Sequence, residues 1–337
     1  MRNIYDLTIK ELEDYFISIN EKKFRAVQVY EALYKRRIKS FDDMTNISKE
    51  VREKLKQDFS FYKIKMLIKQ QGKNVNKYLF ELEDGNKIES VLMFHDYGTS
   101  ICVSSQVGCN MTCAFCESGR LKKVRNLLAY EIVQQILQIE EDINKRITHV
   151  VLMGIGEPFD NYDNVLRFVK IINCGKGIDI GSRHITISTC GVIPGIKKFM
   201  NEEGQVNLAI SLHAPNDTLR SRIIPINKAY PLNELMETIK EYINKTNRRV
   251  TFEYIMLDNV NDSEENAKEL ALLLKGINCY VNLIPYNETE NIEFKRTKEW
   301  KIMKFYDILK KNKINVTIRK EFGGSVDAAC GQLRANN

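Results

Sequence analysis

The sequence predicts an α/β fold: a partial TIM-like (β/α) barrel preceded by a helical domain and a small β region. From about residue 100 onward, apolar strand-like runs alternate with amphipathic helical segments. Such alternation indicates a parallel sheet with right-handed crossovers. The candidate functional residues follow directly after these strands, where parallel α/β folds place their sites. We therefore divide the chain into residues 1–60, 61–99 and 100–337.

The first two segments have different periodicities. Leu12, Tyr15, Phe16 and Ile19 recur at helical spacing, and a second set of the same kind follows within residues 27–34. Thr8 stands three residues before a glutamate, which is the pattern of a capping box at the start of a helix. Residues 62–93 instead alternate like strands and are interrupted by a turn at 83–86. We expect a helical domain and then a small β linker region.

The third segment repeats a strand, a loop and a helix. Its predicted strands are 101–104, 149–153, 184–188, 206–212, 249–256, 280–284 and 315–319. The predicted helices between them are 129–143, 164–173, 193–202, 232–244, 263–274 and 298–311. Six or seven such units suit a barrel better than an open sheet with helices on both faces.

Composition limits the classes of protein. Of the 337 residues 43% are apolar, which allows a large core, and a net charge of +7 is only mildly basic. No run approaches the roughly 18 apolar residues of a membrane span, and the first residues carry charge where a secretory signal needs an apolar run. We expect a cytoplasmic protein with no membrane association. In a reducing compartment its eight cysteines indicate metal binding or catalysis rather than disulfides.

Two basic clusters allow two interpretations. Each is typical of a solvated face, but a basic loop beside a cofactor site also suits a phosphate backbone. One cluster directly follows the cysteine motif described next, and for that reason we favour RNA. The clusters are Lys35, Arg36, Arg37, Lys39 and Arg120, Lys122, Lys123, Arg125.

The most informative residues are three closely spaced cysteines, Cys109, Cys113 and Cys116. A four-iron cluster normally takes four thiolates, so three of them leave one iron open to an outside molecule. That open iron can chelate the methionine part of S-adenosylmethionine (SAM), whose sulfonium bond the cluster then cleaves by reduction. A zinc site and three buried structural thiols are the alternatives. We favour the cluster because the chain has no second pair of ligands at zinc spacing.

Other candidates follow the later strands. Gly156 would let the backbone approach a ligand, and Glu157 could accept from the amino group of a methionine. Ser188 ends the next strand, and Ser211-Leu212-His213 ends the one after that. Asn287 could bind a ribose or an adenine edge. A hydrogen-bonded structural role is the alternative for His213.

Cys102 and Cys330 admit two readings. If the barrel brings both thiols to its mouth, they could act as nucleophile and resolving thiol. Periodicity alone favours two buried structural cysteines. Cys174, Cys190 and Cys279 belong to no constellation, and we expect them to be structural.

Several long motifs together resemble the RlmN/Cfr family of radical SAM RNA methyltransferases. The similarity runs nearly from end to end and rests on SSQVGCNMTCAFC at 104–116, MGIGEP at 153–158, SLHAPND at 211–217 and DAACGQL at 327–333. It implies a barrel of the radical SAM type, one 4Fe-4S cluster on Cys109, Cys113 and Cys116, and two molecules of SAM per turnover. It also implies that SAM is contacted by Gly156, Glu157, Ser188, Ser211, Leu212, His213 and Asn287.

The resemblance further implies a mechanism. Cys330 would take a methyl group from one SAM, and a radical made from the second SAM would remove a hydrogen from that methyl. The resulting carbon radical would add to an adenine carbon. Glu89 matches the family position of the base that removes the ring proton, with Cys102 as a rival. Cys102 would then attack the sulfur of Cys330 and release the methylated base, leaving a transient disulfide.

The implied substrate is an adenosine in the peptidyl-transferase region of 23S rRNA, with an anticodon-loop adenosine of tRNA as a second candidate. We favour methylation at C2. Methylation at C8, which is the reaction of the antibiotic-resistance branch, is the alternative. A non-catalytic RNA-binding protein with a structural metal is the alternative of another class. We also expect a monomer and a reductant such as flavodoxin or ferredoxin. Residues 117–126 lack the glycine pair common in relatives, which bears on how RNA would dock.

Overall fold

A computed structural model describes residues 1–319 and 331–333 and contains one dominant sheet. Its strands, together with four short strands outside it, are β1 Arg2–Asn3, β2 Phe59–Ser60, β3 Lys65–Gly72, β4 Val75–Glu81, β5 Lys87–His95, β6 Gly98–Cys102, β7 Gln106–Val107, β8 Arg125–Asn126, β9 His149–Leu152, β10 Ile185–Thr189, β11 Asn207–Ser211, β12 Val250–Met256, β13 Cys279–Pro285 and β14 Val316–Ile318. The main sheet has ten strands in the order β14-β13-β12-β11-β10-β9-β6-β5-β4-β3.

The helices surround this sheet. They are α1 Ile9–Ser18, α2 Arg25–Tyr34, α3 Lys49–Asp58, α4 Ala129–Ile143, α5 Tyr162–Asn173, α6 Ile193–Phe199, α7 Asp217–Ile223, α8 Leu232–Thr246, α9 Glu264–Leu273 and α10 Glu299–Lys311. No helix in the described part of the chain is both long enough and apolar enough to cross a membrane.

Seven neighbouring strands, β6 and β9 to β14, are parallel. Each is joined to the next through a helical crossover, so all their carboxyl ends lie at one edge. β14 and β3 form the two ends of the strand order, and the sheet formed by the described residues therefore does not close. The predicted α/β fold with a partial barrel is confirmed.

Antiparallel strands extend the barrel sheet on one side. β3, β4 and β5 form a meander, and β5 pairs with β6 so that Val91 lies opposite Cys102. The strands of residues 61–99 thus continue the barrel sheet. This continuity fixes the position of β5 relative to the first barrel strand, which matters for Glu89.

The amino-terminal helices pack against the barrel through one continuous core. Tyr5, Phe16 and Leu33 belong to the same buried cluster as barrel residues such as Ile101 and Phe252. Thr8 forms the predicted capping box, because its hydroxyl accepts from the backbone N–H of Glu11 and the Glu11 carboxylate accepts from the backbone N–H of Thr8. Glu11 also pairs with Arg167 of α5 at 2.5 Å. Apolar packing and a charged contact therefore both hold the helical segment to the barrel.

All the predicted barrel strands and helices lie within three residues of the observed ones at each end. The predicted helix 193–202 ends at Phe199, where Met200 caps it. Helix α7 was not predicted, because its seven residues DTLRSRI carry little apolar periodicity. Asn216 starts α7 by accepting from the backbone N–H of Leu219 through its side chain.

Candidate active site

A cavity lies at the carboxyl ends of the parallel strands. This is the edge at which parallel α/β folds bind ligands. Its walls come from the loop after β6, from the ends of β9 to β13, and from residues near the carboxyl terminus. Eight of the predicted site residues line it: Cys109, Cys113, Cys116, Gly156, Glu157, Ser188, Ser211 and His213.

The cysteine loop is held by short-range and long-range backbone contacts. The N–H of Cys116 donates to the carbonyl of Cys113 at 3.1 Å, and the N–H of Ala114 donates to the carbonyl of Ile223 in α7 at 2.9 Å. Gly108 has a φ of +73°, and a Cβ there would lie 2.2 Å from the carbonyl oxygen of Lys122. Glycine is therefore required where the loop doubles back on itself.

The three thiols form a donor set that fits an iron–sulfur cluster. Burial raises the pKa of Cys109 to about 12, and burial followed by mutual repulsion raises the pKa of Cys113. Without a metal these thiols hold their protons, and metal binding displaces them. In residues 1–319 and 331–333 no three His, Cys, Asp or Glu side chains are grouped to hold a metal ion. A cluster does not need such convergence, because each thiolate ligates a different iron.

Glu157 places a buried carboxylate at the cavity wall. One of its oxygens accepts from the backbone N–H of Phe159 at 3.0 Å, and the other accepts from the N–H of Cys190 at 2.8 Å. Burial raises its pKa, and these N–H donors oppose that effect. Gly156 precedes it with a φ of +108° and packs on Gln106, so that a Cβ would lie 2.6 Å from that side chain. Gly156 lets the backbone approach a ligand in the cavity, and the carboxylate of Glu157 can accept a hydrogen bond from a cationic group.

His213 makes a structural hydrogen bond and also lies at the cavity wall. Its Nδ1 accepts from the backbone N–H of Ile255 at 2.9 Å, which is a structural hydrogen bond. Burial, followed by repulsion from Arg220, lowers its pKa to about 3, so the ring is neutral. Because Nδ1 accepts, the proton lies on Nε2. His213 also lines the cavity, with its ring edge-on to Phe115 at 4.9 Å.

Leu212 and Asn287 do not line the cavity. Leu212 is fully buried, and its backbone N–H donates to the carbonyl of Glu253 at 3.0 Å. The side chain of Asn287 donates to the carbonyl of Pro285 at 3.5 Å. The structure therefore brings eight predicted residues together and leaves these two beside them.

The cavity is also lined by residues that sequence reasoning did not select, among them Cys190, Glu253 and Arg319. Cys190 had been expected to be structural, yet it follows β10 and lies on the cavity wall. Glu253 is buried, and its carboxylate accepts from Asn282 at 2.8 Å while Arg319 attracts it. A charged residue within the apolar strand β12 was the signal available for Glu253. Cys190 gave no comparable signal.

Cys102 and Glu89 lie on one face of the sheet, beside the cavity. Cys102 packs with Val91, Ile155 and Leu333, and Leu333 also lines the cavity. Glu89 stands two residues before Val91 in β5 and therefore shares its face. Glu89 is 3% exposed, and Lys77 lies 3.2 Å from its carboxylate.

Residues 331–333 are bound to the cysteine loop. The N–H of Glu117 donates to the carbonyl of Gly331 at 2.8 Å, and the hydroxyl of Ser118 donates to the carbonyl of Leu333 at 2.6 Å. Gln332 donates to the carbonyl of Glu288 at 3.2 Å. Cys330, the predicted nucleophile, lies outside the described residues.

Much of the basic loop is engaged within the protein. Arg125 forms ion pairs with Asp84 and Glu131, and Lys123 forms one with Asp160 at 2.7 Å. Lys122 is exposed. The loop therefore presents less unpaired positive charge to a bound RNA than its sequence indicates.

Two family models match this chain. One is described as the ribosomal RNA large subunit methyltransferase N-terminal domain and matches residues 2–60, and the Radical SAM superfamily model matches residues 103–271. The second match covers the three-cysteine loop and the barrel strands β9 to β12. Fold and site together define a radical SAM enzyme.

Curated relatives narrow the class. A probable dual-specificity RNA methyltransferase RlmN of Spiroplasma citri is 53% identical over 100% of this chain and 98% of its own, and one of Enterococcus faecalis is 54% identical over 99% and 96%. The chain belongs to the RlmN family of radical SAM RNA methyltransferases. A crystal structure of a radical SAM methyltransferase from Sphaerobacter thermophilus matches it with a TM-score of 0.94 at 41% identity, over 100% of both chains. The family implies SAM and a 4Fe-4S cluster as cofactors.

Proposed function

We propose that this protein methylates C2 of an adenosine in the peptidyl-transferase region of 23S rRNA, with an anticodon-loop adenosine of tRNA as a second substrate. The relatives named as dual-specificity RNA methyltransferases support two kinds of RNA substrate. The observation that carries the proposal is the position of Leu333. Leu333 lines the cavity that contains the three cysteines, and it also packs against Cys102. It therefore connects the proposed cluster site with the proposed resolving thiol.

In this proposal Cys109, Cys113 and Cys116 would hold the cluster. When bound, the cluster and SAM supply the radical that removes a hydrogen atom from a methyl group. Glu157 accepts from the amino group of SAM, because its buried carboxylate keeps lone pairs beside two backbone donors. Two molecules of SAM are used per turnover, one as methyl donor and one as radical source.

Other cavity residues fit the adenosine part of SAM. The Nε2–H of His213 is a donor at the cavity wall, because Nδ1 is already occupied. Ser188 and Ser211 offer hydroxyl groups at the ends of β10 and β11. Leu212 and Asn287 complete the proposed contacts from positions next to the cavity.

The polar steps belong to three side chains. The thiolate of Cys330 takes a methyl group from the sulfonium of SAM and becomes a thioether. After the methylene carbon has bonded to adenine, the adduct still carries an unpaired electron, which must pass to a one-electron acceptor; in this proposal the oxidised cluster would be that acceptor. Glu89 accepts the proton from that ring carbon. Cys102 then attacks the sulfur of Cys330, so that a disulfide forms while the carbon–sulfur bond breaks and its carbon takes a proton. A thiol reductant must reopen this disulfide before the next turnover.

Lys77 supports the assignment of Glu89 as the base. The ammonium group of Lys77 lies 3.2 Å from the buried carboxylate of Glu89 and fixes its orientation. Radical addition is needed because C2 of adenine is electrophilic and cannot attack a sulfonium methyl. The target base must leave its stack to reach such a cavity, as is usual for enzymes that modify bases.

Residues 1–60 and the exposed Lys122 are the proposed contacts to the RNA backbone. A monomer suffices for this scheme, since one chain supplies every proposed residue. The electron comes from a small reductant such as flavodoxin or ferredoxin.

Anaerobic reconstitution tests the proposal. Protein loaded with iron and sulfide is incubated with SAM, a reductant and unmodified 23S rRNA or tRNA, and nucleosides are measured by mass spectrometry. We expect about four irons per chain and 2-methyladenosine as the product. A product with 8-methyladenosine and no 2-methyladenosine contradicts the C2 assignment.

Three cysteine variants sharpen the test. Cys330→Ala should abolish methylation, and Cys102→Ala should trap a covalent protein–RNA adduct because the carbon–sulfur bond is no longer broken. Cys174→Ala is the matched control, since that thiol lies outside the described cavity. Normal turnover by Cys102→Ala would exclude it as the resolving thiol. Colourless protein that binds zinc, with RNA affinity unaffected by Cys330→Ala, would favour a non-catalytic RNA-binding protein.

A further inference from the structure

Arg220 of α7 is an arginine with 0% of its surface exposed. Its guanidinium donates to the carbonyl of Cys190 at 2.6 Å and to the carbonyls of Ser211 and Leu212, both at 3.2 Å. The remaining bond goes to the side-chain oxygen of Asn227 at 2.7 Å. All these partners are neutral acceptors.

No carboxylate lies within ion-pair distance of Arg220 in the described part of the chain. The nearest acidic connection is indirect, because Asn227 donates to the carboxylate of Asp217 at 2.7 Å. That same oxygen of Asp217 also accepts from the backbone N–H of Leu232 at 2.8 Å. A buried charge without a counter-charge is unfavourable, so such a residue normally faces an anion that completes the site.

The cavity borders the carbonyls that Arg220 binds, although Arg220 itself is not one of its lining residues. The three carbonyls that Arg220 binds stand at the ends of β10 and β11, where Cys190 and Ser211 reach the cavity wall. α7 also contacts the cysteine loop directly, through the bond from Ala114 to Ile223 at 2.9 Å. The positive charge of Arg220 opposes protonation of His213 at the cavity wall.

We propose that Arg220 is the buried counter-charge of the iron–sulfur cluster and raises its reduction potential. This inference rests on the cluster named in the proposed function. A cluster with three thiolate ligands carries net negative charge, which grows by one unit when it accepts an electron. Net charge and nearby hydrogen bonds are among the factors that set such potentials. A fixed cation therefore favours the reduced form. Arg220 is a positioning residue, since it also holds the ends of β10 and β11.

The experiment is a redox titration of reconstituted protein, followed by electron paramagnetic resonance of the reduced cluster. For a unit charge on the order of 10 Å away in a medium of effective dielectric constant about 20, removing it should lower the ratio of reduced to oxidised cluster roughly tenfold. For a one-electron couple a tenfold change equals ~59 mV. We expect this negative shift in Arg220→Gln and a potential close to that of the wild type in Arg220→Lys.

Arg146→Gln is the matched control. Arg146 also donates to loop carbonyls, those of Ile178 and Asp179, but at the amino ends of the strands. It should leave the potential unchanged. An unshifted potential in Arg220→Gln, or equal shifts in Arg220→Gln and Arg220→Lys, would overturn the inference in favour of a purely structural hydrogen-bonding role.

Two further outcomes also decide the question. Folded Arg220→Gln protein that takes up no iron, while Arg220→Lys does, supports the counter-charge, and equal loss in both contradicts it. If Arg220→Gln does not fold, Arg220→Lys decides alone: an unchanged potential supports the role of charge and a lowered one contradicts it. Wild-type protein that holds the cluster but methylates no RNA contradicts the proposed function and leaves this comparison valid.

Discussion

Glu157→Gln is the substitution that separates the binding role of this residue from its structural role. The wild-type carboxylate accepts one backbone N–H on each oxygen, from Phe159 at 3.0 Å and Cys190 at 2.8 Å. Glutamine has the same shape, but only one of its two terminal atoms accepts hydrogen bonds. Its amide group would therefore face one of the two N–H donors, and that buried donor would lose its partner.

The general energetics of hydrogen bonds give the size of the expected effects on stability and on SAM affinity. A buried donor left without a partner costs about 1–3 kcal/mol, so the free energy of unfolding should fall by that amount. A charge-assisted hydrogen bond to the amino group of SAM contributes about 1.5–3 kcal/mol. Its loss should raise the dissociation constant of SAM by roughly tenfold to a hundredfold.

Urea unfolding of the cluster-free protein and equilibrium dialysis of SAM with the reconstituted protein measure the two effects. Glu140→Gln is the matched control, because Glu140 is also buried and accepts from a backbone N–H, that of Ile147, at 2.7 Å. It should lose stability and keep its affinity for SAM. Glu157→Gln protein with lowered stability but wild-type affinity would refute the assignment of Glu157 to the amino group.

Three other predictions concern a proton, a glycine and a helix cap. His213 has a pKa near 3 in the folded protein, below its ordinary value, so the unfolded chain takes up a proton first as the pH falls. The free energy of unfolding should therefore drop by about 1.4 kcal/mol per pH unit from pH ~6.5 toward pH ~3. This contribution to the pH dependence should be absent in His213→Asn, and urea unfolding at a series of pH values measures it. If the difference in free energy of unfolding between the wild type and His213→Asn does not depend on pH, the prediction of a buried neutral ring is wrong. Gly156→Ala forces a Cβ to within 2.6 Å of Gln106 at a φ of +108°, so the affinity for SAM should fall at least tenfold. Gly204→Ala is the control, because Gly204 also has a positive φ but its Cβ would meet nothing within 4 Å, and this variant should keep wild-type affinity. Thr8→Ala removes the cap of α1 and should cost about 1 kcal/mol in urea unfolding, and an unchanged midpoint would exclude a capping contribution.

The barrel and the cysteine loop could be predicted because their signals are local. The apolar run Leu208-Ala209-Ile210 of β11 is continuous and buried, since both faces of a central parallel strand are covered. Helix α4 was predicted with its observed bounds, Ala129–Ile143, because its apolar residues recur with the period of a helix. Helix α7 has only seven residues and carries no such period, so it was missed.

The residues that sequence reasoning missed depend on contacts between distant segments. Cys190 was expected to be structural and lies on the cavity wall, because the N–H of that residue binds a carboxylate 33 positions earlier in the chain. Arg220 could not be singled out, since its burial depends on the ends of two strands folding over it. The basic loop shows the converse case: its charges are visible in the sequence, but the acids that pair with Lys123 and Arg125 are not.

The sequence by itself determined the strand and helix alternation, the three thiols at fixed spacing and the motifs that identify the family. These follow from backbone periodicity and from residue types that lie next to each other along the chain. Only the tertiary structure decided that Ser118 binds Leu333, 215 positions away, and that Cys102 and Glu89 share a face beside that residue. The physical reason is that strand register and the burial of charge depend on how distant segments pack, which no local pattern encodes.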